Sequence, residues 1–177
     1  TFNCGPILAE ISVTTLPPLQ PLKPFLLGLS FNNPEPGISN HAKLVMARYD
    51  PIGGSCVSQP TKIDVPGLMA RAEINHLSIF QLRQLAGVTD LANARVFPNP
   101  IYTRNQGFFT FDQLPPPTWV RIYTLHGERV ARFISNSAGV AIWKFENESH
   151  RPVASGVYIA VLEHDGEKKI MKLVVIR

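Results

Sequence analysis

The chain has 177 residues, of which 45% are hydrophobic and 17% charged, and its 16 prolines and 12 glycines interrupt it often. Breakers this frequent favour many short strands over long helices, in one large domain or two small ones. The net charge of +4 is scattered, without a basic block or interleaved aromatics, so no nucleic-acid partner is expected; no apolar run is long enough to insert in a membrane as a helix.

The chain starts at Thr1 without an initiator Met or a signal peptide, as a mature product, a fragment or a trimmed chain would. Residues 1–24 form a Pro-rich N-terminal segment, with a first strand candidate at 7–14. Pro17, Pro18, Pro21 and Pro24 then exclude a sheet interior and predict an extended connector, because each removes a ladder donor. Such a segment could reach a neighbouring copy and add a strand there.

Strand candidates follow at 25–31, 42–49, 57–65, 68–74 and 77–82. They are separated by Asn-Asn-Pro-Glu-Pro-Gly at 32–37, Asp-Pro-Ile-Gly-Gly at 50–54 and Pro66-Gly67. Strands about ten residues apart, each bounded by turn residues, predict a β-sandwich over 25–83. Residues 84–94 have no sustained pattern and are expected to be a linker.

A second unit spans 95–177. Pro98 and Pro100 suit an edge strand. Strands are expected at 107–111, 119–125, 129–134 and 140–145. In the second of these, Trp119, Arg121, Tyr123 and Leu125 alternate with Val120, Ile122 and Thr124. A closing hairpin runs through 157–162 and 173–176, and Asp165-Gly166 suits a type I′ turn between its arms. Roughly seven strands fit an immunoglobulin-like sandwich. The fold class is therefore all-β: two tandem Ig-like antiparallel β-sandwich domains.

The residues carry little chemistry. His41, His76, His126, His150 and His164 lack metal-ligand spacing, and His76 reads as a structural histidine that orders a turn. Ser78 has no nucleophile elbow around it, and Asp50, Asp64 and Asp112 read as solvated turn carboxylates. No catalytic residue, metal or cofactor is assigned. Trp119, Tyr123, Trp143 and Tyr158 are core aromatics or, in a second reading, a sugar platform. Asn147-Glu148-Ser149 matches a glycosylation sequon, a pattern frequent by chance. Cys4 and Cys56 are too far apart for a CxxC motif. They form one disulfide in an oxidising compartment or stay as two buried thiols.

Three ordered motifs carry a resemblance over residues 95–177. These are Phe97-Pro98-Asn99-Pro100, then Val120-Arg121-Ile122-Tyr123-Thr124-Leu125-His126-Gly127-Glu128-Arg129-Val130, then Ala154-Ser155-Gly156-Val157-Tyr158. They resemble the Ig-like C-terminal domain of the flagellar hook-capping protein type and the type A sorting domain of the type IX secretion system. The Trp143-Lys144-Phe145 strand stands where that family has Trp-Asp-Gly. Ahead of it, Asn75-His76-Leu77-Ser78-Ile79-Phe80 is similar to the last strand of a β-sandwich found before such domains in bacterial surface proteins. Cys56 stands where those proteins usually have Trp, which favours a bond to Cys4.

The resemblance implies a non-enzymatic secreted or cell-surface structural protein. Its C-terminal module would serve export, anchoring or assembly, with secretion or attachment machinery or other copies of itself, in an extracellular fibre, as partners. The implied motif residues are Pro98, Asn99, Pro100, Gly156, Val157 and Tyr158, with Lys168, Lys169 and Lys172 as basic residues of the final hairpin. The alternative is a carbohydrate-binding accessory module of a larger secreted hydrolase, with a glycan as partner.

Overall fold

The computed structural model describes residues 7–15, 20–31, 41–50, 55–84, 88–104 and 107–177. The predicted loops at 32–37 and 51–54, part of the Pro-rich connector, and Cys4 lie outside the described residues. The fold is an all-β sandwich fold, and the chain divides into two units, Thr1–Ala86 and Gly87–Arg177.

The strands of the first unit are β1 (Ile7–Ser12), β2 (Phe25–Ser30), β3 (Leu44–Asp50), β4 (Ser55–Ser58), β5 (Thr61–Asp64), β6 (Met69–Ile74) and β7 (Ile79–Gln84). They make two sheets, ordered β1-β7-β3-β4 and β2-β6-β5. Each sheet turns its alternate apolar residues to a shared core: Leu44, Met46, Phe80 and Leu82 from one, Leu29, Ala70, Ala72 and Ile74 from the other.

Two expectations are corrected here. The first strand belongs to the sandwich rather than to a separate N-terminal segment, because β1 pairs antiparallel with β7 from Ile7↔Arg83 to Ser12↔Ile79. Gln81 donates to the Glu10 carboxylate across that pair, and Arg83 Nε donates to Gln81 Oε1 at 2.7 Å. The strand is thus paired within its own unit. The single strand expected over 57–65 is also two. Pro60 has no N–H, so the ladder breaks there and the chain changes sheet. Polar groups around the break are satisfied locally: Gln59 N donates to Met46 O (2.7 Å), Thr61 Oγ1 to Gln59 O (2.8 Å) and Met46 N to Thr61 Oγ1 (2.8 Å).

His76 orders the turn before β7. Its Nδ1 lies 2.9 Å from Asn75 Oδ1 and its Nε2 lies 3.1 Å from an Arg48 nitrogen. Only the neutral Nδ1–H tautomer fits both, donating to Asn75 and accepting from Arg48. Burial pushes the imidazole below its ordinary value, and the Arg48 cation adds to the fall.

The second unit contains β8 (Arg95–Phe97), β9 (Ile101–Tyr102), β10 (Phe109–Asp112), β11 (Trp119–Thr124), β12 (Arg129–Ile134), β13 (Ala141–Trp143), β14 (Gly156–His164) and β15 (Glu167–Ile176). A three-stranded sheet, β13-β10-β8, faces a five-stranded one, β12-β11-β14-β15-β9. Phe109, Phe111 and Trp143 from the first meet Ile122, Tyr158, Leu162 and Leu173 from the second in one core. The β14–β15 hairpin holds its register from Gly156↔Val175 to His164↔Glu167. Asp165 (φ 46) and Gly166 (φ 85) both occupy the left-handed region that a two-residue type I′ turn requires. The antiparallel expectation fails at one pair, since β9 runs parallel to β15.

Residues 88–94 are more than a linker. Leu91 is 0% exposed and, with Ala94, belongs to the second core. The closing hairpin grips this turn from both charges: Leu91 N donates to Glu167 Oε2 (3.0 Å), and Lys169 Nζ donates to the carbonyls of Leu91, Ala92 and Ala94 at 3.0, 2.7 and 2.8 Å.

Asp112 is also not a solvated carboxylate. It is 0% exposed and takes a bidentate pair from Arg95, Nε–Oδ1 2.6 Å and the terminal nitrogen to Oδ2 2.8 Å, across β8 and β10. Asn147 Oδ1 accepts from Ser149 N and Arg151 N (both 3.0 Å), so the sequon's amide shapes a turn.

The Pro98-Asn99-Pro100 motif carries the chain from one sheet to the other. Asn99 Nδ2 donates to Lys172 O at 2.6 Å and Val174 N donates to Asn99 Oδ1 at 3.0 Å. The side-chain amide thereby acts as one more rung beside β15, just ahead of the Ile101 and Tyr102 pairing.

Two predictions follow from these contacts. The unfolded chain binds a proton on His76 at a higher pH than the folded chain does. The histidine's contribution is therefore full above its unfolded value, near 6.5, and is lost as pH falls through the lower folded value. Urea midpoints followed from about pH 7 to about pH 5 should fall less in His76→Gln than in the wild type; equal slopes would clear His76 of the effect. In the second unit, Asn99→Ala should cost about 1–2 kcal/mol and Lys169→Met about 1.5–3 kcal/mol in denaturant melts, since each leaves main-chain groups without their partner. Lys172→Met, at an exposed position, should stay within about 0.5 kcal/mol.

Candidate functional site

The period-two alternation that fills the second core puts a different set of side chains on the outer face of the five-stranded sheet. Because Val120, Ile122, Ala160, Leu162, Leu173 and Val175 point inward, their strand neighbours point out. Register then sets the rows across that face. One row reads Ile134, Trp119, Glu163, Lys168; the next reads Arg132, Arg121, Val161, Ile170; Tyr123, Ile159 and Lys172 make the third.

The face combines exposed apolar side chains with an excess of cations. Ile170 is 69% exposed, and Ile134 and Trp119 are exposed as well. Arg121, Arg132, Lys168 and Lys172 share these rows with one carboxylate, Glu163. Arg121 donates to Glu163 and forms an ion pair with it. That hydrogen bond, reinforced by the charges of Arg121 and Lys168, holds the Glu163 carboxyl below the usual carboxylate range. The Arg132 guanidinium lies 4.0 Å from the Trp119 ring centroid, a cation–π geometry. The acid is thus spent on Arg121, and Lys168 and Lys172 flank Ile170 on β15 as exposed ammonium groups. Apolar side chains rimmed by cations make a surface suited to a protein partner with acidic and apolar groups.

The residues singled out by sequence fall into two sets. Asn99 is bound to β15, and Lys169 is bound to the 91–94 carbonyls. Tyr158 is buried, donates its hydroxyl to Ala154 O at 2.9 Å and meets Trp143 edge-on at 5.5 Å. Burial pushes its phenol above the ordinary value. Gly156 and Val157 start β14, and Ser155 accepts from Arg177 N at 3.0 Å. Pro98 and Pro100 flank Asn99 in the crossing between sheets. These residues build the module, whereas Lys168 and Lys172 lie on the open face.

A sugar platform is corrected in part. Trp143 is 3% exposed, stacks with Phe109 and donates Nε1–H to Glu146 O at 2.9 Å. With Tyr158 also buried, two of the four aromatics are core, and Arg132 lies over Trp119. Sequence reasoning missed Arg121, Arg132 and Ile170 as members of a common face, although the alternation of β11 and the Lys-x-Ile-x-Lys spacing of β15 carried the signal.

Cys56 is buried on β4 opposite Tyr49 and is not a free cysteine among the described residues; Cys4 lies outside the described residues. Among the described residues, no group of three or more His, Cys, Asp and Glu side chains is placed to hold a metal ion. No helix there is long and apolar enough to cross a membrane.

No protein-family model matches the chain, and no curated protein matches it. Solved structures do. The chain is similar to PorZ, described as an essential bacterial surface component of the type IX secretion system of Porphyromonas gingivalis, at 22% identity and a TM-score of 0.47. The match covers 55% of this chain and 14% of PorZ. It is also similar to dimeric latent PorU of Porphyromonas gingivalis, at 13% identity and a TM-score of 0.38, over 97% of this chain and 20% of PorU. The matched part is thus a seventh of one neighbour and a fifth of the other.

Proposed function

We propose that this chain is a non-enzymatic, secreted or cell-surface bacterial protein whose second sandwich is docked, as a folded module, by export or attachment machinery. The observation that supports this most is the outer face of β11, β12, β14 and β15. It leaves Lys168, Ile170 and Lys172 open while Asn99, Tyr158 and Lys169 are bound within the module. The ordered Pro98-Asn99-Pro100, Tyr123-hairpin and Gly156-Val157-Tyr158 motifs of the sorting-domain type support the same reading. A machine that recognises this module reads side chains held at fixed spacing on a pleated sheet, and rigid presentation lowers the ordering cost of binding.

The face is tested by Lys168→Glu, Ile170→Asp and Lys172→Glu combined, in a bacterium with type IX export. These exposed positions should leave the melting temperature nearly unchanged. Surface display measured by whole-cell antibody labelling should fall on the order of tenfold, the effect of about 1.4 kcal/mol in docking affinity. Wild-type display of the folded variant would overturn the docking face. Recovery of the unaltered native protein only from the cytoplasm would overturn the compartment.

The same compartment accommodates a Cys4–Cys56 disulfide. Alkylation of the native protein before reduction should add no mass, and after reduction it should add two adducts. Reduction should destabilise the first unit by about 2–4 kcal/mol. Adducts on the unreduced protein would rule the bond out.

A further inference from the structure

A second feature of the C-terminal unit lies apart from the docking rows. A pocket of about 340 Å³ is lined by Thr103, Arg104, Lys144, Glu146, Pro152 and Arg177, together with Phe145. The lining comes from four places in the chain: just after β9, just after β13, the segment ahead of β14 and just after β15.

Its frame is fastened through the main chain. Thr103 N donates to Ile176 O at 2.9 Å, Val153 N donates to Phe145 O at 2.8 Å, and Glu146 bridges to Pro152. Phe145 holds a left-handed backbone (φ 58), unusual for an aromatic residue. Its ring is locked edge-on against Phe109 and Trp143, at 5.5 and 5.9 Å. The bend therefore sits on a packed core, and the polar residues on either side of it, Lys144 and Glu146, line the same pocket.

The charges there are unbalanced. Arg104, Lys144 and Arg177 are exposed cations, and none has a salt-bridge partner among the described residues. The one side-chain carboxylate in the lining, Glu146, lies 3.5 Å from His150 Nδ1. Two guanidinium groups and an ammonium around a small concavity supply the fork and point-charge donors that recognise an oxyanion. The pocket volume falls in the range used for small ligands.

We infer that this pocket is a binding site for a small organic anion, a phosphate or carboxylate carried on a body about the size of one sugar. Arg104, Lys144 and Arg177 hold the oxyanion, and Thr103 and the Glu146 side offer hydrogen-bonding groups to the body. The neutral body fills what a bare phosphate leaves empty, so a sugar phosphate binds more tightly than inorganic phosphate.

The test is an amide NMR titration of the full chain at constant ionic strength, with glucose 6-phosphate, glucuronate, inorganic phosphate and glucose as probes. Glucose 6-phosphate or glucuronate should give saturable shifts at Thr103, Arg104, Lys144, Glu146 and Arg177, with a dissociation constant on the order of millimolar. Inorganic phosphate should bind more weakly, and neutral glucose should give no shift. Arg104→Gln with Lys144→Gln should weaken binding at least about tenfold with the rest of the spectrum unchanged. Glu146→Gln should strengthen it by removing the opposing carboxylate. Linear shifts spread over the basic surface, equal binding by the folded double variant, or a response to glucose matching that to its phosphate would overturn the inference.

Discussion

Every strand that closes a sheet leaves a row of main-chain donors and acceptors facing outward, and the second unit is arranged around how β15 disposes of its row. One side of β15 is filled by β14 over its length. The other side receives only two residues of β9, in parallel register. The Asn99 amide adds the missing rung by donating to Lys172 O and accepting from Val174 N. An amide side chain can do both at once, which a carboxylate or a hydroxyl on a short stem cannot do in the same geometry. This gives the asparagine between two prolines a physical reason: the prolines take the chain from the three-stranded sheet to the five-stranded one, and the amide joins it to the last strand.

The same principle links the turn at 91–94 to the hairpin. Its carbonyls converge on the Lys169 ammonium, a donor with three protons and no acceptor role, while Leu91 N is taken by Glu167. Leu91 is buried beneath them. Strand β15 therefore carries two kinds of lysine. Lys169, on the core side of the alternation, is bound by the fold; Lys168 and Lys172, one step out of phase, face outward. A positive charge at the end of the chain is not by itself a signal, and the pleat separates the lysine that builds from those that can be read.

Much of the fold was legible because alternation and turn chemistry are local. Strands β11, β14 and β15 stand where period two and Asp165-Gly166 put them. What failed needed long-range information. A stretch without sustained alternation, residues 84–94, reads as a linker until the partner of Leu91 is known. Asp112 reads as a turn carboxylate until Arg95, from a neighbouring strand, is seen to neutralise it. A continuous strand over 57–65 reads as one element because alternation marks extended chain without naming its sheet; only the missing N–H of Pro60 marked the break. Trp143 read first as a core residue and second as part of a sugar platform, and Phe109, Phe145 and Tyr158 packing around it place it in the core. The outer face was half legible: its β11 members alternate plainly, but only register places Arg132 beside Arg121 and Ile170 beside Val161.

These edges also bear on how a partner would engage the module. Strand addition needs an open, unobstructed edge. On the five-stranded sheet, one edge is occupied by β9 with Asn99 beside it, and the other, β12, carries Arg129 and Arg132 among its exposed residues. The edge strands of the opposing sheet, β8 and β13, are three residues each, too short to template much pairing. In the first unit, β1 occupies its own sheet beside β7. With these edges shortened, charged or filled, the outer face of the five-stranded sheet presents its side chains in fixed register, and a partner that recognised that face would leave the module folded.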